Sequence, residues 1–401
     1  MGKSLSRLER RDMTDIVTLC QEIGSTLVDV QHNVAISKGL VDVLADAGLR
    51  VIGPTKKAAE IEWSKEFERE FGVRHGLRQP GFAVFNSEEE GVSHVKKEEE
   101  VPRFIKADGI YPGGAAVIPA KDRSEAIEAI RSMGGFKKAG STYLIERWLR
   151  NLDGTNGEEF SAFAISDGAD MKILGSAQDH KRLHNFDLGR NTGGIGCVTP
   201  PLVLTDGIYS EINQNFETVI KGLAEEGRPY RGVLYKGGIL IREEEGLVMY
   251  DLEFNSRWGN PEASVIVPGI QNDFFELSSA ALDGNLRELN VTMDGKTRVV
   301  VSGVAADFVG DAGSVKGKQI FGLEEARRTE GVTIHGGSMT VEDGKYYVSG
   351  ERLFYVVGEG KDVIEARKRA YTAMSAVFIE GNRLHFRTDI GWRDLERLVR
   401  Y

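Results

Sequence analysis

Cysteine is scarce in this sequence, and long apolar runs are missing from it. Only Cys20 and Cys197 occur among 401 residues, so a disulfide framework is excluded and a reducing compartment such as the cytosol is favoured. The first 17 residues lack the apolar core of a signal peptide. No run approaches the ~18 consecutive apolar residues of a membrane span. We therefore expect a cytoplasmic protein with no membrane partner.

The sequence also has no excess of basic charge. Its 51 lysines and arginines against 61 aspartates and glutamates give a net charge of −10. This balance disfavours nucleic acid as a partner, but it permits a locally basic site for phosphates. The chain is too long for one compact core, so we expect about two to four lobes.

Helix and strand patterns alternate in the first part of the chain. Residues 26–30 read as a short buried strand, 40–47 as a helix closed by Gly48, and 50–55 as a second strand. This order predicts one β-α-β unit. The Gly-rich first turn of a dinucleotide-binding fingerprint is absent from it.

The later segments predict a mixture of helices and strands. The charged run 87–100 is interpreted as a solvated helix face, because its Glu–Lys spacing stabilises exposed helices. From about residue 295 strand-like runs dominate, with one amphipathic helix near 363–378. The fold class expected is therefore a multidomain α+β or α/β protein.

The stretch LVMYDLEFNSRWGNPE, residues 247–262, predicts a strand with a metal-binding face. A carboxylate, an amide and a guanidinium on one face suit Mg²⁺ that bridges nucleotide phosphates, since Mg²⁺ prefers hard oxygen ligands. Arg257 can hold phosphoryl or carboxylate oxygens bidentately. An ordinary half-exposed strand is the alternative. Read with period two, the core face has Val248, Tyr250, Leu252, Phe254 and Trp258, and the polar face has Asp251, Glu253, Asn255 and Arg257.

A second polar stretch, AQDHKRLHNFDLGRNTGGIG, spans residues 177–196. Its charged side chains precede the turn Thr192-Gly193-Gly194. Successive backbone N–H groups in such a turn can hold an anion. Solubilising surface is the other interpretation of these charges.

These stretches resemble the phosphoribosylamine–glycine ligase (glycinamide ribonucleotide synthetase) family. LEFNSRWGNPE is similar to the family's LEFNxRFGDPE, and AQDHKR…NTGGIG is similar to its AQDHKR…GPNTGGMG. The likeness begins near residue 26 and continues to the C-terminus. Further matching segments, in the family's order, are GLRVIGPTKKAAEIEWSK, IKADG, IERWL…GEEFS, RGVLYKGGILI and RTDIGWRDL.

The resemblance implies an ATP-grasp fold, with ATP between two α+β lobes, and ATP with Mg²⁺ (or Mn²⁺) as cofactors. It also implies a reaction in which ATP phosphorylates a carboxylate, in the family that of glycine, and an amine then displaces the phosphate. The expected partners are a small-molecule carboxylate and an amine, in a monomer or homodimer. The implied divisions are 1–64 for a truncated N-terminal substrate-type α/β domain, 65–82 with 147–290 for the large ATP-grasp lobe, 83–146 for the lid lobe and 291–401 for a small β-rich C-terminal domain.

The resemblance also implies roles for individual residues. Glu253 and Asn255 match the family's magnesium ligands. Asp251 stands where the family usually has an apolar residue. It is interpreted either as an extra metal contact or as a replacement at the surface edge. The residues that match nucleotide contacts are Lys65 and Lys106 at the phosphates, the segment Glu146 to Leu149 beside adenine, and Glu158 or Glu159 at the ribose. Those that match the substrate end of the cleft are Asp179, Lys181, Arg182, Asn191, Thr192 and Gly193.

Several departures bear on the amine acceptor and on the lid. The family opens with a G-x-G-G-R-E-H-A turn that binds the phosphate of phosphoribosylamine. We expect this chain to lack that turn and about half of the first domain. Asn33 is aligned with a glutamate of the family. In the lid loop 107–117, Gly114 replaces a lysine and Ala115 a glycine.

Three interpretations stay open on these grounds. The leading one is a repurposed ADP-forming carboxylate–amine ligase with a different amine, because the nucleotide motifs are better preserved than the acceptor motifs. The second is a genuine phosphoribosylamine–glycine ligase of purine biosynthesis with a shortened N-terminal domain. The third is a catalytically silent nucleotide-binding paralogue, which the missing lid lysine favours.

Overall fold

The structure, a computed structural model, describes residues 12–111, 116–136, 142–306, 308 and 315–400. Gly114 and Ala115 lie outside these ranges. None of the described helices is long and apolar enough to cross a membrane.

The N-terminal part contains the predicted β-α-β unit. Its two short strands pair in parallel, with Val28 opposite Val51. Two helices lie between them, and the second ends before Gly48, whose φ of 78° is left-handed backbone that favours glycine. Two further helices lead toward the site. The elements are α1 (Met13–Glu22), β1 (Val28–Asp29), α2 (Asn33–Ser37), α3 (Leu40–Asp46), β2 (Val51–Ile52), α4 (Glu60–Trp63) and α5 (Lys65–Arg74).

A four-stranded antiparallel sheet follows, with two helices packed on it. The order of its strands is β3-β6-β4-β5. The charged run 87–100 forms the predicted helix, which Ser87 caps by accepting from the Glu90 N–H. The elements are β3 (Phe82–Phe85), α6 (Glu88–Lys97), β4 (Arg103–Ala107), β5 (Val117–Ala120), α7 (Arg123–Ser132) and β6 (Tyr143–Arg147).

A large antiparallel sheet follows, and helices cover both of its faces where it begins. Its first strand is buried on both sides: Phe160 packs toward one helical layer and Phe163 toward the other. The elements of this segment are β7 (Glu158–Asp167), β8 (Met171–Asp179), β9 (Arg182–His184), β10 (Leu188–Asn191), β11 (Gly196–Thr199), α8 (Asp206–Glu225), β12 (Arg231–Glu243), β13 (Gly246–Asn255), α9 (Ala263–Ile266) and α10 (Phe274–Asp283).

Four of the described C-terminal strands extend the same sheet, and the other four form a separate sheet in the order β17-β18-β15-β20. The order of the large sheet is β13-β12-β7-β8-β11-β14-β19-β16, with β21 beside β14. The strand-rich pattern and the helix near 363–378 are thus confirmed. The elements are β14 (Thr297–Ala305), β15 (Gln319–Phe321), α11 (Leu323–Ala326), β16 (Val332–Gly336), β17 (Met339–Glu342), β18 (Lys345–Val348), β19 (Arg352–Gly360), α12 (Val363–Met374), β20 (Phe378–Ile379), β21 (Leu384–His385) and α13 (Trp392–Arg400).

Candidate active site

The predicted metal-binding strand is β13, and it contains a bulge. Glu253 pairs with Gly237 and Asp251 pairs with Gly238, so Leu252 has no residue opposite it on β12. One extra residue reverses the alternation of side chains along a strand. Asp251 and Glu253 therefore lie on opposite faces, and the prediction that they share a face is wrong.

Asp251 lies on the face that packs against α8. Its carboxylate forms an ion pair with the buried Lys236 ammonium and accepts a hydrogen bond of 2.7 Å from Asn215. The side chain is buried. Both interpretations made for Asp251 are therefore wrong: it is not at a surface edge, and the bulge turns it away from Glu253 and Asn255.

Glu253 lies on the other face of the strand, among basic side chains. Its carboxylate is 3.9 Å from the Lys181 ammonium. Burial would raise the pKa of Glu253, but the charges of Lys181, Lys106, Arg257 and Lys65 outweigh it and lower the pKa below its ordinary value. The carboxylate is therefore ionised at neutral pH.

Asn255 and Arg257 continue the strand beside Glu253. The Arg257 Nη2 donates to the Asn255 Oδ1 at 3.4 Å, and the Arg257 Nε is 3.4 Å from a Glu62 carboxylate oxygen on α4. Glu62 also accepts from the Ser256 N–H at 2.8 Å. These contacts fix the end of the strand against α4.

Lys106 and Glu146 lie on neighbouring strands of the smaller sheet. The Lys106 ammonium is 2.6 Å from Glu146, and the Arg69 guanidinium of α5 donates to the same carboxylate at 2.9 Å. Burial would raise the pKa of Glu146, but Arg69 and Lys106 outweigh it and hold the pKa at about 2. The Glu146 side chain thus joins α5 to the smaller sheet, while Leu149, just beyond β6, is half-buried.

Lys65 is the first residue of α5, and it lies close to the end of β4. Its ammonium donates to the Gly109 carbonyl at 2.8 Å, and its backbone N–H donates to Asp108 at 2.5 Å. Burial and the positive charge of Lys106 lower the pKa of Lys65. The two predicted phosphate-binding lysines are therefore brought together.

Glu158 and Glu159 have different partners at the start of β7. Glu159 is 2.8 Å from the Lys181 ammonium, so it shares that lysine with Glu253. Glu158 instead forms an ion pair with Arg397 of α13. Only Glu159 therefore shares a cation with the predicted metal ligands.

The segment 177–196 folds back on itself as a hairpin of β9 and β10. The Thr192 N–H and hydroxyl both donate to the Lys181 carbonyl, at 2.6 and 2.9 Å. Arg182 donates to the Gly189 carbonyl at 2.9 Å within the hairpin. Asn191, opposite Arg182, is exposed. The Thr192-Gly193 turn is thus fastened to the lysine that contacts Glu253.

Two family models match this chain. The model described as "Phosphoribosylglycinamide synthetase, ATP-grasp (A) domain" matches residues 63–263, and the one described as its C domain matches residues 301–393. The phosphoribosylamine–glycine ligase of Caulobacter vibrioides is 35% identical over 396 residues, which cover 98% of this chain and 89% of that protein. The chain belongs to the phosphoribosylglycinamide synthetase family.

Further comparisons agree with this family membership. The phosphoribosylamine–glycine ligase of Escherichia coli O6:H1 is 34% identical over 96% of this chain and 88% of its own. The crystal structure of the Thermotoga maritima phosphoribosylamine–glycine ligase superposes with a TM-score of 0.72 at 32% identity, over 85% of this chain and 82% of that chain. The present chain is therefore an ATP-grasp ligase that forms a carbon–nitrogen bond.

Two residues that the sequence patterns did not single out also belong to the site. Arg352 of β19 donates to the Gly193 carbonyl at 2.7 Å and to the Asn260 carbonyl at 3.0 Å, so it ties the glycine turn to the segment after β13. Glu262 lies buried in that segment. An isolated arginine at the start of a strand has no distinctive pattern, whereas Glu262 could have been found as the last residue of the matched motif.

Proposed function

We propose that this chain condenses glycine with phosphoribosylamine at the expense of ATP, in a magnesium-dependent reaction. One observation carries the proposal: an ionised carboxylate and an amide oxygen, Glu253 and Asn255, lie on one face of β13, beside Lys181, Lys65 and Lys106. The names of the relatives supply the two substrates to test first.

The residues present fit a magnesium ion. Glu253 supplies a charged carboxylate on a side chain that is 47% exposed. Within the described residues, the Asn255 Oδ1 is engaged only by a long hydrogen bond from Arg257. Two hard oxygen ligands from protein leave positions for phosphate and water, as Mg²⁺ prefers. When bound, the ion would neutralise phosphate charge.

The side chains around these ligands suit phosphoryl transfer by charge and alignment. A carboxylate oxygen of glycine attacks the γ-phosphorus as the bond to ADP breaks. The amine nitrogen then attacks the carbonyl carbon of the acyl phosphate, loses a proton and expels phosphate. Lys65, Lys106 and Arg257 stabilise the negative charge that moves between these oxygens.

We place ATP between the β3-β6-β4-β5 sheet of the lid lobe, 83–146, and the large lobe, 65–82 with 147–290. Glu146 to Leu149 then border the adenine, and Glu159 rather than Glu158 contacts the ribose. The ion pair from Arg69 of α5 to Glu146 supports this closeness of the lobes. The substrate end is lined by Asp179, Lys181, Arg182, Asn191, Thr192 and Gly193, between the N-terminal domain, 1–64, and the C-terminal domain, 291–401.

A second candidate function is ligation of glycine to a different amine. Where the family usually has a glutamate, Asn33 hydrogen bonds to Glu62, the acid that also contacts Arg257. The neighbouring Gln31 accepts from the Trp258 N–H at 3.0 Å. These contacts place the altered residue Asn33 next to the end of the proposed metal-binding strand, which favours an altered acceptor.

The test is ADP and phosphate release from Mg-ATP, glycine and phosphoribosylamine. Turnover with phosphoribosylamine would support the first candidate, and turnover only with another member of a panel of amines would support the second. ATP binding without ADP formation across the panel would match a catalytically silent paralogue and contradict both.

The Glu253→Ala variant tests the metal assignment. We expect turnover to fall by about 100-fold or more, because the charge that holds the metal against the phosphates is removed. Circular dichroism should show an unchanged fold. The matched control is Glu225→Ala, an exposed glutamate on α8 whose loss should leave turnover unchanged. Full turnover in Glu253→Ala would refute the assignment.

A further inference from the structure

Arg387 is a fully buried arginine in the C-terminal segment, residues 385–391, between β21 and α13. Its Nε and Nη2 both donate to the Asp389 carboxylate, each at 2.7 Å, so the guanidinium is held in one orientation. The remaining nitrogen, Nη1, donates to the Arg182 carbonyl at 3.1 Å and to the Asp187 carboxylate at 2.9 Å. Arg387 therefore connects the C-terminal segment to the hairpin of β9 and β10.

Other backbone and side-chain groups next to Lys181 are held by the same segment. The His385 Nε2 donates to the Leu183 carbonyl at 2.9 Å. The Gly391 N–H donates to the His180 Nε2, also at 2.9 Å. The residue before Lys181 and the two residues after it are thus all bonded to the C-terminal segment.

The tip of the hairpin also depends on this segment. Phe186 and Asp187 both have a φ of 56°, in the left-handed region that residues other than glycine adopt at an energetic cost. The Phe186 N–H donates to Asp389 at 2.7 Å, and Asp187 forms ion pairs with Arg387 and Arg393. These contacts hold the tip in a conformation that the hairpin would not favour by itself.

Attachment of the C-terminal strands does not require this cluster of charges. β14 already pairs with β11, from Gly196 opposite Val301 to Thr199 opposite Arg298. A buried ion pair contributes little net stability, whereas its directional hydrogen bonds fix the groups that they contact. The contribution of Arg387 is therefore one of geometry rather than of attachment.

The side chain that this geometry positions is that of Lys181. Its ammonium is 2.8 Å from Glu159 and 3.9 Å from Glu253. A lysine side chain has many rotamers, so it keeps one such arrangement only where its backbone is fixed. Misplacement of a charged group by about 1 Å can lower a rate about 100-fold.

We infer that Arg387 is a positioning residue for the ligase reaction, because the hairpin that it holds keeps the Lys181 ammonium between these two acids. This inference rests on the proposed function, which places Glu253 at the metal and Glu159 at the ribose. It adds the C-terminal segment to the groups on which turnover depends. Arg387 acts through Lys181 and not on a substrate, since its three nitrogens are all engaged by protein groups.

A double-variant cycle on ADP release tests this inference. The amine is phosphoribosylamine or whichever member of the panel supports turnover. Arg387→Lys keeps the charge but cannot bond to Asp389 and to the hairpin together, so kcat should fall by about 10- to 100-fold. In the Lys181→Ala background the same change should lower kcat by less than about 2-fold, because the group through which Arg387 acts is already missing.

Calorimetry with magnesium and a non-hydrolysable ATP analogue gives the same cycle without turnover. Arg387→Lys should change the affinity in the same direction as Lys181→Ala, and the two changes should not add. Asp187→Ala is a second variant, because Asp187 is partly exposed and its loss leaves Arg387 paired with Asp389. We expect it to lower kcat less than Arg387→Lys does, and again only where Lys181 is present.

The matched control is Arg298→Lys, at another buried arginine of the C-terminal strands. Its guanidinium pairs with Asp294 and Glu359 rather than with the hairpin. This variant should lower the melting temperature, as Arg387→Lys does, and leave kcat unchanged in both backgrounds. A role of Arg387 in stability alone would make the two arginine variants alike.

The possible outcomes separate this inference from the acceptor assignment. Equal factors lost in the presence and absence of Lys181 would overturn the inference, and so would an unchanged kcat in folded Arg387→Lys and Asp187→Ala. Turnover with another amine but not with phosphoribosylamine would refute the proposed acceptor and leave the inference intact. No binding of the analogue by the unmodified protein would refute the proposed function and this inference together.

Discussion

Glu68 is a buried acid one residue before Arg69 on α5. Its carboxylate accepts from the Phe254 N–H at 3.0 Å and lies 3.3 Å from the Arg69 guanidinium. Glu68 therefore joins α5 to the open edge of β13, one residue along the strand from the proposed magnesium ligand Glu253. Burial raises the pKa of Glu68 to about 7, despite the opposing charges of Arg69 and Lys106. Glu68 therefore titrates near neutral pH.

Its titration makes the stability of the fold depend on pH. Because folding raises the pKa of Glu68 from its ordinary value of 4.5 to about 7, its favourable contribution to the unfolding free energy is complete below the ordinary value and is lost as the pH rises through about 7. Glu68→Gln imitates the protonated acid. As the pH rises from 5 to 8, the unfolding free energy of this variant should increase by about 3 kcal/mol relative to that of the unmodified protein.

Urea denaturation at several pH values measures this difference. Glu225→Gln, at an exposed position of α8, should differ from the unmodified protein by the same small amount at every pH. A constant difference for Glu68→Gln would mean that Glu68 is ionised throughout and would contradict the prediction.

At the scale of elements, the bulge in β13 pairs two charges inside the sheet layer. Lys236 faces Phe254 across the strands and reaches Asp251 because Leu252 is the extra residue. Both charges are buried beneath α8. Buried pairs contribute little net stability, but the loss of one partner leaves an uncompensated charge.

We therefore expect Lys236→Met to lower the unfolding free energy by about 3–5 kcal/mol and the double variant Lys236→Met/Asp251→Leu to recover most of this loss. Chemical denaturation of the single and double variants measures the effect. Lys221→Met, which breaks an exposed pair with Glu225, serves as the control and should change stability by less than about 1 kcal/mol. A double variant no more stable than the single one would contradict the interpretation.

At the scale of the whole molecule, the site joins segments that are far apart in the chain. Ion pairs connect α5 with the smaller sheet, and Arg352 connects the C-terminal strands with the glycine turn. A ligand that binds only this assembled state stabilises the entire fold.

Mg-ATP should therefore raise the melting temperature. At about 100 times its Kd the expected stabilisation is about 2.7 kcal/mol. Removal of magnesium with EDTA should abolish most of the rise at the same ATP concentration, because the ion that Glu253 and Asn255 are proposed to hold would then be absent. In the same assay on Glu253→Ala, ATP should raise the melting temperature by the same amount with and without magnesium. An equal rise with and without magnesium would refute the metal site.

The sequence alone determined the family, the α+β class, the β-α-β unit and the matched motifs, because these depend on local patterns and on long motifs in a fixed order. It also singled out Lys65, Lys106 and Glu253, which the fold brings together. Only the tertiary structure decided which face of β13 holds Asp251, since a bulge breaks the period of two on which that prediction rested. Tertiary structure likewise placed Arg352 beside Gly193, because a contact between residues 159 positions apart leaves no local periodicity in a single sequence.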